Sequence, residues 1–283
     1  PIRKNEKFSS VSQFTLGPKI GDGGFARVHK AIDKQSGTEY ALKIMHIPSM
    51  SEGDIQNIEK ELDIHSSLDS PFVIKLVDFF QEKENLYMIL EMAEHGNLYS
   101  YMYKNYKLSP DQIRHFWIQT LQGIGYLHSV GVYMRDLKPE NILIDKQKNA
   151  KLCDFGWASR MSDEEYRSLA GGTFIYMSPE NLRGELQGLA SDMWSMGVLL
   201  YELVHYSEPF KLGISAEEQL EYIQQGRKEF GYGVPEIVQN LVTSLLSEKE
   251  EDRPSAQQVL ENYWVQEYFE IKNAEKRRNV YFT

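Results

Sequence analysis

Residues 133–141 read "YMRDLKPEN". In this stretch Lys138 stands two residues after Asp136, and Asn141 stands five residues after it. The stretch therefore places a carboxylate, an ammonium group and an amide close together along the chain. A lone Asp in a loop is usually a turn residue, so the meaning of these residues depends on what accompanies them.

A second acidic motif, "CDFG", follows at 153–156. Asp136 and Asp154 are short, hard carboxylates, and Asn141 offers a neutral oxygen ligand. Such oxygen donors hold Mg²⁺ that stays partly coordinated by water and by substrate phosphates. Together with three further features (a glycine-rich hairpin, a strand lysine and a helix glutamate), the two motifs predict magnesium-assisted phosphate chemistry.

A glycine-rich stretch, "IGDGGFARVHKA", occupies residues 20–31 between two predicted strands. Its glycines let the backbone approach a phosphate closely, because no Cβ intervenes. Taken alone, such a stretch is more often a simple tight turn. It is not a dinucleotide-binding motif, because a strand follows it instead of a helix, and it lacks the Lys-Ser/Thr of a P-loop.

Lys43 lies in "YALKI", a predicted strand with apolar neighbours. A lysine in this setting points into solvent by default. If it points inward, it needs a counter-charge, and Glu61 on the following predicted helix could supply one. The sequence alone leaves both arrangements open.

Two regions of different secondary structure are expected. β-Favouring runs occupy 14–20, 27–33, 39–45, 72–80 and 85–92, with one helix at 54–68. Later segments are helical: a capping box at Ser109–Gln112 opens a helix that reaches residue 129, and 192–204 is apolar nearly all round, as in a buried helix. Further helices are predicted at 215–225, 235–247 and 255–268.

Composition limits the possible functions. The chain has 283 residues, 41% hydrophobic and 25% charged, with a net charge of −10. These values fit a globular protein and argue against a basic nucleic-acid surface or attraction to anionic membranes. The single cysteine excludes an internal disulfide and suits a reducing compartment. No apolar run reaches transmembrane length, so we expect a cytoplasmic or nuclear location.

The chain resembles a eukaryotic protein kinase catalytic domain from about residue 12 to 268. The motifs that carry this resemblance are G-x-G-x-x-A-x-V at 21–28, A-L-K at 41–43, R-D-L-K-P-E-N at 135–141, D-F-G at 154–156, S-P-E at 178–180, D-x-W-S-x-G at 192–197 and an arginine at 253. Such a series in one order rarely arises by chance. "DLKPEN" and "GGTFIYMSPE" resemble the serine/threonine class. Within it, "GGFA" resembles polo-like kinases and "DFGWA" resembles Aurora kinases, which leaves the subfamily open.

The resemblance implies an α+β, bilobal fold. Residues 12–92 would form an N-terminal lobe with a five-stranded antiparallel sheet and one helix. Residues 93–268 would form a mainly α-helical C-terminal lobe, and 269–283 a C-terminal tail. The expected cofactors are ATP and Mg²⁺, the expected partners are protein substrates, and the catalytic domain is expected to be monomeric.

The resemblance also implies roles for individual residues. Asp136 would accept the proton of the substrate hydroxyl, and Lys138 would face the transferred phosphoryl group. Lys43, positioned by Glu61, would hold the α- and β-phosphates, while Asn141 and Asp154 would bind the metal. The nucleotide-binding set implied by the resemblance comprises Ile20, Gly21, Asp22, Gly23, Gly24, Phe25, Ala26, Val28, Ala41, Lys43, Glu61, Leu90, Glu91, Ala93, Asn97, Glu140 and Leu143. Cys153 would line the same pocket as a small buried residue.

Two departures from the family pattern bear on activity. Ala26 stands where the third loop glycine is usual, and we expect reduced loop flexibility with intact binding. Met134 replaces a histidine that in the family packs beneath the DFG phenylalanine, here Phe155. Because a flexible apolar methionine can fill that space, catalysis should survive. The alternative function is a catalytically weak pseudokinase that acts as a scaffold.

The resemblance suggests regulation and substrate preference as well. Arg135 would need an anion, supplied either by phosphorylation of Ser168 or by the acidic residues at 163–165. Thr173 would contact the catalytic loop, and Glu180 would form a buried ion pair with Arg253. Glu140 and Glu202 match positions that contact arginines before the acceptor residue in basophilic relatives. Asn97 replaces a carboxylate at a third such position.

Overall fold

The computed structural model describes residues 7–23, 26–104, 107–163 and 172–281. The chain divides into two compact units. The first unit consists of residues 1–96 and 143–156, and the second unit consists of residues 97–142 and 157–283. Segment 143–156 therefore belongs to the first unit although it follows the "RDLKPEN" stretch in sequence.

The first unit contains a five-stranded antiparallel sheet, as the sequence predicts. Its strand order is β1-β2-β3-β5-β4. The strands are β1 Phe14–Asp22, β2 Ala26–Asp33, β3 Glu39–His46, β4 Leu76–Glu82 and β5 Asn85–Glu91. The fourth strand begins later than predicted, because Val73 forms a parallel bridge with Leu152 instead of joining β4.

Helix α1, Glu52–Ser66, follows β3 in the first unit. Ser51 and Asp54 form a reciprocal capping box at its start, which satisfies backbone donors that have no partner within the helix. Glu61 and Leu62 lie on its buried side. The helix therefore presents a carboxylate as well as apolar side chains to the interior of this unit.

Segment 143–156 is joined to the first unit by backbone hydrogen bonds. Ile74 N donates to Leu152 O at 2.9 Å, and Leu152 N donates to Phe72 O at 2.8 Å. Ile144 N donates to Gly96 O at 2.8 Å. The strands β7 Ile142–Ile144 and β8 Ala150–Leu152 pair with each other.

The second unit is mainly helical. A short strand pair, β6 Val132–Tyr133 with β9 Ser159–Arg160, accompanies its helices. The helices are α2 Leu98–Lys104, α3 Pro110–Ser129, α4 Pro179–Leu182, α5 Leu189–His205, α6 Ala216–Gln224, α7 Glu236–Leu245, α8 Ala256–Leu260 and α9 Tyr263–Tyr281. The Ser109 capping box and the all-round burial of the middle of α5 agree with the sequence-based expectations.

Two helical predictions need correction. The single helix predicted over 255–268 is interrupted at residues 261–262, where Asn262 Oδ1 accepts a hydrogen bond from Trp264 N and starts a new helix. That last helix continues to Tyr281. Helix α2 was not predicted. Within the described ranges, no helix has the length and apolar character needed to span a membrane.

Candidate active site

Lys43 and Glu61 form an ion pair inside the first unit. Lys43 Nζ lies 2.8 Å from Glu61 Oε1, which joins strand β3 to helix α1. Burial opposes the charged form of Lys43, but the charges of Glu61 and Asp154 outweigh it and raise the pKa of the lysine. Of the two arrangements that the sequence leaves open, the structure shows the paired one.

Asp154 lies in the same charged environment. Its backbone has φ +61°, a left-handed conformation that is uncommon for a residue other than glycine and that often marks functional sites. Its Oδ1 accepts a long hydrogen bond from Gly156 N, at 3.4 Å. Asp154 is thus held by a local backbone contact, and its negative charge acts on Lys43.

Phe155, the next residue, is fully buried and packs against His65 of α1, with ring centroids 4.8 Å apart. His65 Nε2 lies 2.7 Å from Ile74 O. Burial lowers the pKa of His65, which favours the neutral imidazole. Sequence reasoning missed this residue. Its signal was a histidine four positions after Glu61, on the same helix face.

The other predicted nucleotide residues of the first unit lie on its strands and their connections. Val28 is the register partner of Lys43 across β2 and β3. The Glu91 side chain is bound by Lys151 Nζ at 2.7 Å. The remaining described positions are Ile20, Gly21 and Asp22 on β1, Gly23 after it, Ala26 on β2, Ala41 on β3, Leu90 on β5, Ala93 after β5, and Leu143 on β7. Gly24 and Phe25 lie outside the described residues.

Asp136 is the centre of a hydrogen-bonded cluster in the second unit. Its Oδ1 accepts from Thr173 N and from Thr173 Oγ1, both at 2.8 Å. Its Oδ2 lies 2.8 Å from Lys138 Nζ and 2.9 Å from Asn141 Nδ2. Lys138 Nζ also donates to Thr173 Oγ1 at 2.6 Å. These contacts fix the orientation of the carboxylate.

Gly172 makes the approach of Thr173 possible. Its φ is +104°, and a Cβ at this position would lie 2.6 Å from the carbonyl oxygen of Arg135. Only glycine accommodates both the dihedral angle and the contact. Asp192 supports the loop from another side: its two carboxylate oxygens accept from Met134 N and Arg135 N at 2.8 and 2.9 Å.

The predicted metal ligands are chemically suited to Mg²⁺. Asn141 Nδ2 donates both to the backbone oxygen of Asp136 and to its carboxylate. This arrangement reserves the Asn141 carbonyl oxygen for a cation, and Asp154 supplies a carboxylate. Across the described ranges, no three acidic, histidine or cysteine side chains gather into a possible metal site.

The predicted substrate-contacting residues have specific surroundings. Asn97 Oδ1 accepts from Ser100 N at 2.8 Å, so this side chain caps α2. Glu202 is buried and accepts a hydrogen bond from the Tyr176 hydroxyl. Burial, followed by the charges of Glu140 and Glu208, raises the pKa of Glu202 to about 7. The sequence signalled the carboxylates but not the tyrosine.

The predicted ion pair between Glu180 and Arg253 is present. Two parallel contacts of 2.7 Å join the guanidinium to the carboxylate, and both side chains are almost completely buried. Cys153 lies in the first unit, where burial raises the pKa of its thiol and keeps it protonated. Ser168, the predicted phospho-acceptor, and the acidic residues 164 and 165 lie outside the described residues.

The structure therefore groups the predicted residues into two clusters, one in each unit. Lys43, Glu61 and Asp154 belong to the first, and Asp136, Lys138 and Asn141 belong to the second. The first cluster can hold anionic phosphate groups and a cation. The second combines an oriented carboxylate, a lysine and an amide, a set that suits phosphoryl transfer to a hydroxyl.

Comparisons with known proteins agree with this chemistry. Residues 14–265 match the family model described as protein kinase domain. An Aurora kinase of Schizosaccharomyces pombe is 30% identical over 259 residues, which cover 91% of this chain and 73% of that protein. Aurora/IPL1-related protein kinase 2 of Caenorhabditis elegans is 29% identical, and the matched region covers 98% of this chain and 91% of that protein.

A third relative is much longer than the matched region. NUAK family SNF1-like kinase 1 of Homo sapiens is 31% identical over 265 residues, which cover 93% of this chain and 40% of that protein. The shared region is the part that carries the two clusters. The chain therefore belongs to the protein kinase family, as a catalytic domain of the serine/threonine kinase type.

Proposed function

We propose that this chain transfers the γ-phosphoryl group of ATP, bound with Mg²⁺, to serine or threonine hydroxyls of protein substrates. The observation that carries the proposal is the orientation of Asp136. Both of its carboxylate oxygens are held by polar groups of the catalytic loop and of Thr173. A positioned base of this kind contributes about 10²–10⁴ in rate.

Each cluster has a defined task in the proposed reaction. Lys43 binds the ATP phosphates, and Glu61 keeps its ammonium group in place. Asp136 accepts the proton of the attacking hydroxyl, and Lys138 stabilises charge on the transferred group. Asn141 of the second unit and Asp154 of the first unit would each supply an oxygen ligand to Mg²⁺, and the ion would neutralise phosphate charge.

Substrates with basic residues before the acceptor fit the acidic side chains of the second unit. Glu140 lies within the RDLKPEN stretch, between Lys138 and Asn141, and its charge is among those that raise the pKa of buried Glu202. A cationic side chain near these carboxylates would relieve their mutual repulsion. We therefore propose a preference for arginine or lysine before the acceptor residue. Asn97 stands where relatives often have a third carboxylate, so it adds no negative charge to attract these basic residues.

The test is a peptide array with labelled ATP and Mg²⁺, run with the wild type and with Asp136→Asn. Peptides should carry serine, threonine or tyrosine acceptors, with and without preceding arginines. Asp136→Asn is expected to lower phosphorylation by about 10²–10⁴-fold. Asp111→Asn, an exposed carboxylate in the first turn of α3, is the matched control and should retain full activity.

The outcomes separate the possible functions. Activity on serine and threonine peptides that is lost in Asp136→Asn supports the proposal. Equal activity of this variant and the wild type would contradict the role of the base. A wild type that binds nucleotide without phosphorylating any peptide would favour the pseudokinase alternative.

A further inference from the structure

Arg135, which immediately precedes the proposed base, contacts several neutral groups among the described residues. Its side chain is buried, and Nε donates to Gln187 Oε1 at 3.1 Å. Nη1 lies 3.4 Å from Ser159 Oγ, and the guanidinium carbon lies 5.9 Å from the ring centre of Tyr133. The shortest of these contacts is the one to Gln187.

Gln187 is fixed at both ends of its amide. It is 1% exposed and lies between α4 and α5. Its Nε2 donates to Asn181 Oδ1 on α4 at 2.9 Å, while its Oε1 accepts from Arg135. If the amide turned around, its Nε2 donor would face the Nε donor of Arg135, because the two ends of an amide have opposite polarity. Two amide side chains thus connect α4 to the guanidinium.

The backbone of Arg135 requires such support. Its φ is +68°, in the left-handed region, which is strained for a residue other than glycine. Asp192 Oδ1 accepts from Arg135 N, and Gly172 packs against the Arg135 carbonyl oxygen. The backbone is therefore held from two sides, and Gln187 holds the side chain. A change in the torsion angles of Arg135 would displace the carboxylate of Asp136, the next residue.

We propose that Gln187 is a positioning residue for phosphoryl transfer, acting through Arg135 on Asp136. The inference rests on the proposed function, because it assigns Gln187 a role in that reaction. Gln187 touches no reacting group; it limits the positions that the guanidinium can adopt. A displacement of about 1 Å at a reacting group can cost on the order of 10²-fold in rate. A buried amide that fixes the residue next to the base can therefore affect kcat.

The first test compares Gln187→Met with Gln187→Glu. Methionine has a similar shape but removes both hydrogen bonds, and we expect kcat to fall by about 5–30-fold with the KM for ATP within about twofold. Glutamate keeps an acceptor for Arg135 Nε, and the Asn181 amide can rotate to donate to it. Gln187→Glu should therefore keep kcat within about threefold of wild type.

Gln219→Met is the matched control. Gln219 is also 1% exposed, and its Oε1 accepts from a backbone donor, Gly213 N, at 2.8 Å. Its loss should lower the unfolding temperature to a similar extent as Gln187→Met while kcat stays near wild type. A purely structural role for Gln187 predicts that the two variants behave alike in both measurements.

A double-mutant cycle with Arg135→Met tests whether the effect passes through the guanidinium. In that background Gln187→Met should change kcat by less than about twofold, because the partner is already absent. Arg135→Leu, which also removes every side-chain donor, is a second background in case Arg135→Met does not fold, and the same non-additivity is expected there.

The results distinguish the inference from the function on which it rests. An inactive wild type overturns both. An active wild type with unchanged kcat in Gln187→Met overturns only the inference. So does a loss of kcat from Gln187→Met that is equal with Arg135 present and with Arg135 substituted. A raised KM with unchanged kcat would also contradict a positioning role.

Discussion

The two units each contain a buried ion pair, and the pairs differ in how completely they are hydrogen bonded. In the first unit, Lys43 donates one hydrogen bond within the described residues, to Glu61 at 2.8 Å. In the second unit, all five N–H donors of Arg253 are used. Two go to Glu180, and three go to the backbone oxygens of Ala190, Ser247 and Glu248.

This difference indicates two separate roles. Arg253 connects segments of the second unit and has no donor left for a ligand. The pKa of Glu180 is lowered, because the hydrogen bonds and charge of Arg253 outweigh the effect of burial. Lys43 retains N–H donors that can form hydrogen bonds to phosphate oxygens. A saturated pair supports the fold, and a pair with spare donors can also bind a ligand.

Among variants of the two ion pairs, Lys43→Met should produce the largest loss of activity. Removing one well-placed electrostatic donor typically lowers kcat by about 10²–10³-fold. The double variant Lys43→Met/Glu61→Leu removes the unpaired buried carboxylate and should recover stability without recovering activity. Steady-state kinetics and thermal unfolding of both variants check this prediction. If turnover recovered in the double variant, Lys43 would have only a structural role, like that of Arg253 in the second unit.

Arg253→Met should mainly affect stability. It leaves Glu180 buried without its partner, at a cost of about 3–5 kcal/mol in the free energy of unfolding. Arg253→Met/Glu180→Leu should restore most of that loss, because a buried pair can often be replaced by apolar residues. Denaturant unfolding gives the energies. If the double variant is stable but inactive, this pair also takes part in catalysis.

Glu202 provides a third buried carboxylate, whose described hydrogen-bond donor is the neutral Tyr176 hydroxyl. With its pKa raised to about 7, Glu202 is protonated below that pH and ionised above it. The kcat/KM for arginine-containing peptides should therefore rise by about 2–5-fold as the pH increases through 7. Peptides without arginine should show a smaller rise, and Glu202→Gln should remove the difference. An unchanged difference in that variant would contradict the assignment.

Met134→His should have the smallest effect, below about tenfold in kcat, because Met134 is a fully buried packing residue whose backbone N–H contacts Asp192. Asp136→Asn, measured in the same assay, should be lower by orders of magnitude. The reverse order of the two variants would show that residue 134 contributes chemistry and not only packing.

Much of the fold could be predicted because local patterns agree with it. The strand runs of the first unit and the capping box at Ser109 are visible in sequence. The sequence patterns do not predict helix α2. Asn97 matches a substrate-contacting position of the family pattern, but its side chain caps this helix. The break at residue 262 also depends on a single side-chain cap.

The candidate site likewise contains residues that the sequence predicts and contacts that it does not predict. The members of each cluster could be named because the motifs specify them. The contacts of Gln187 with Arg135 and of His65 with Phe155 could not, since they join residues 52 and 90 positions apart without a repeating pattern. Such contacts depend on tertiary packing, which a single sequence does not display.

The placement of segment 143–156 has a consequence for dissecting the molecule. A fragment ending at residue 96 would lose the partners of Ile74 N, Phe72 O and Gly96 O, three backbone groups satisfied by that later segment. Ile74 is buried, so its amide without a partner would be costly. Recombinant expression of the N-terminal piece by itself should therefore give an insoluble or molten product. A circularly permuted or grafted version that carries both pieces should fold autonomously.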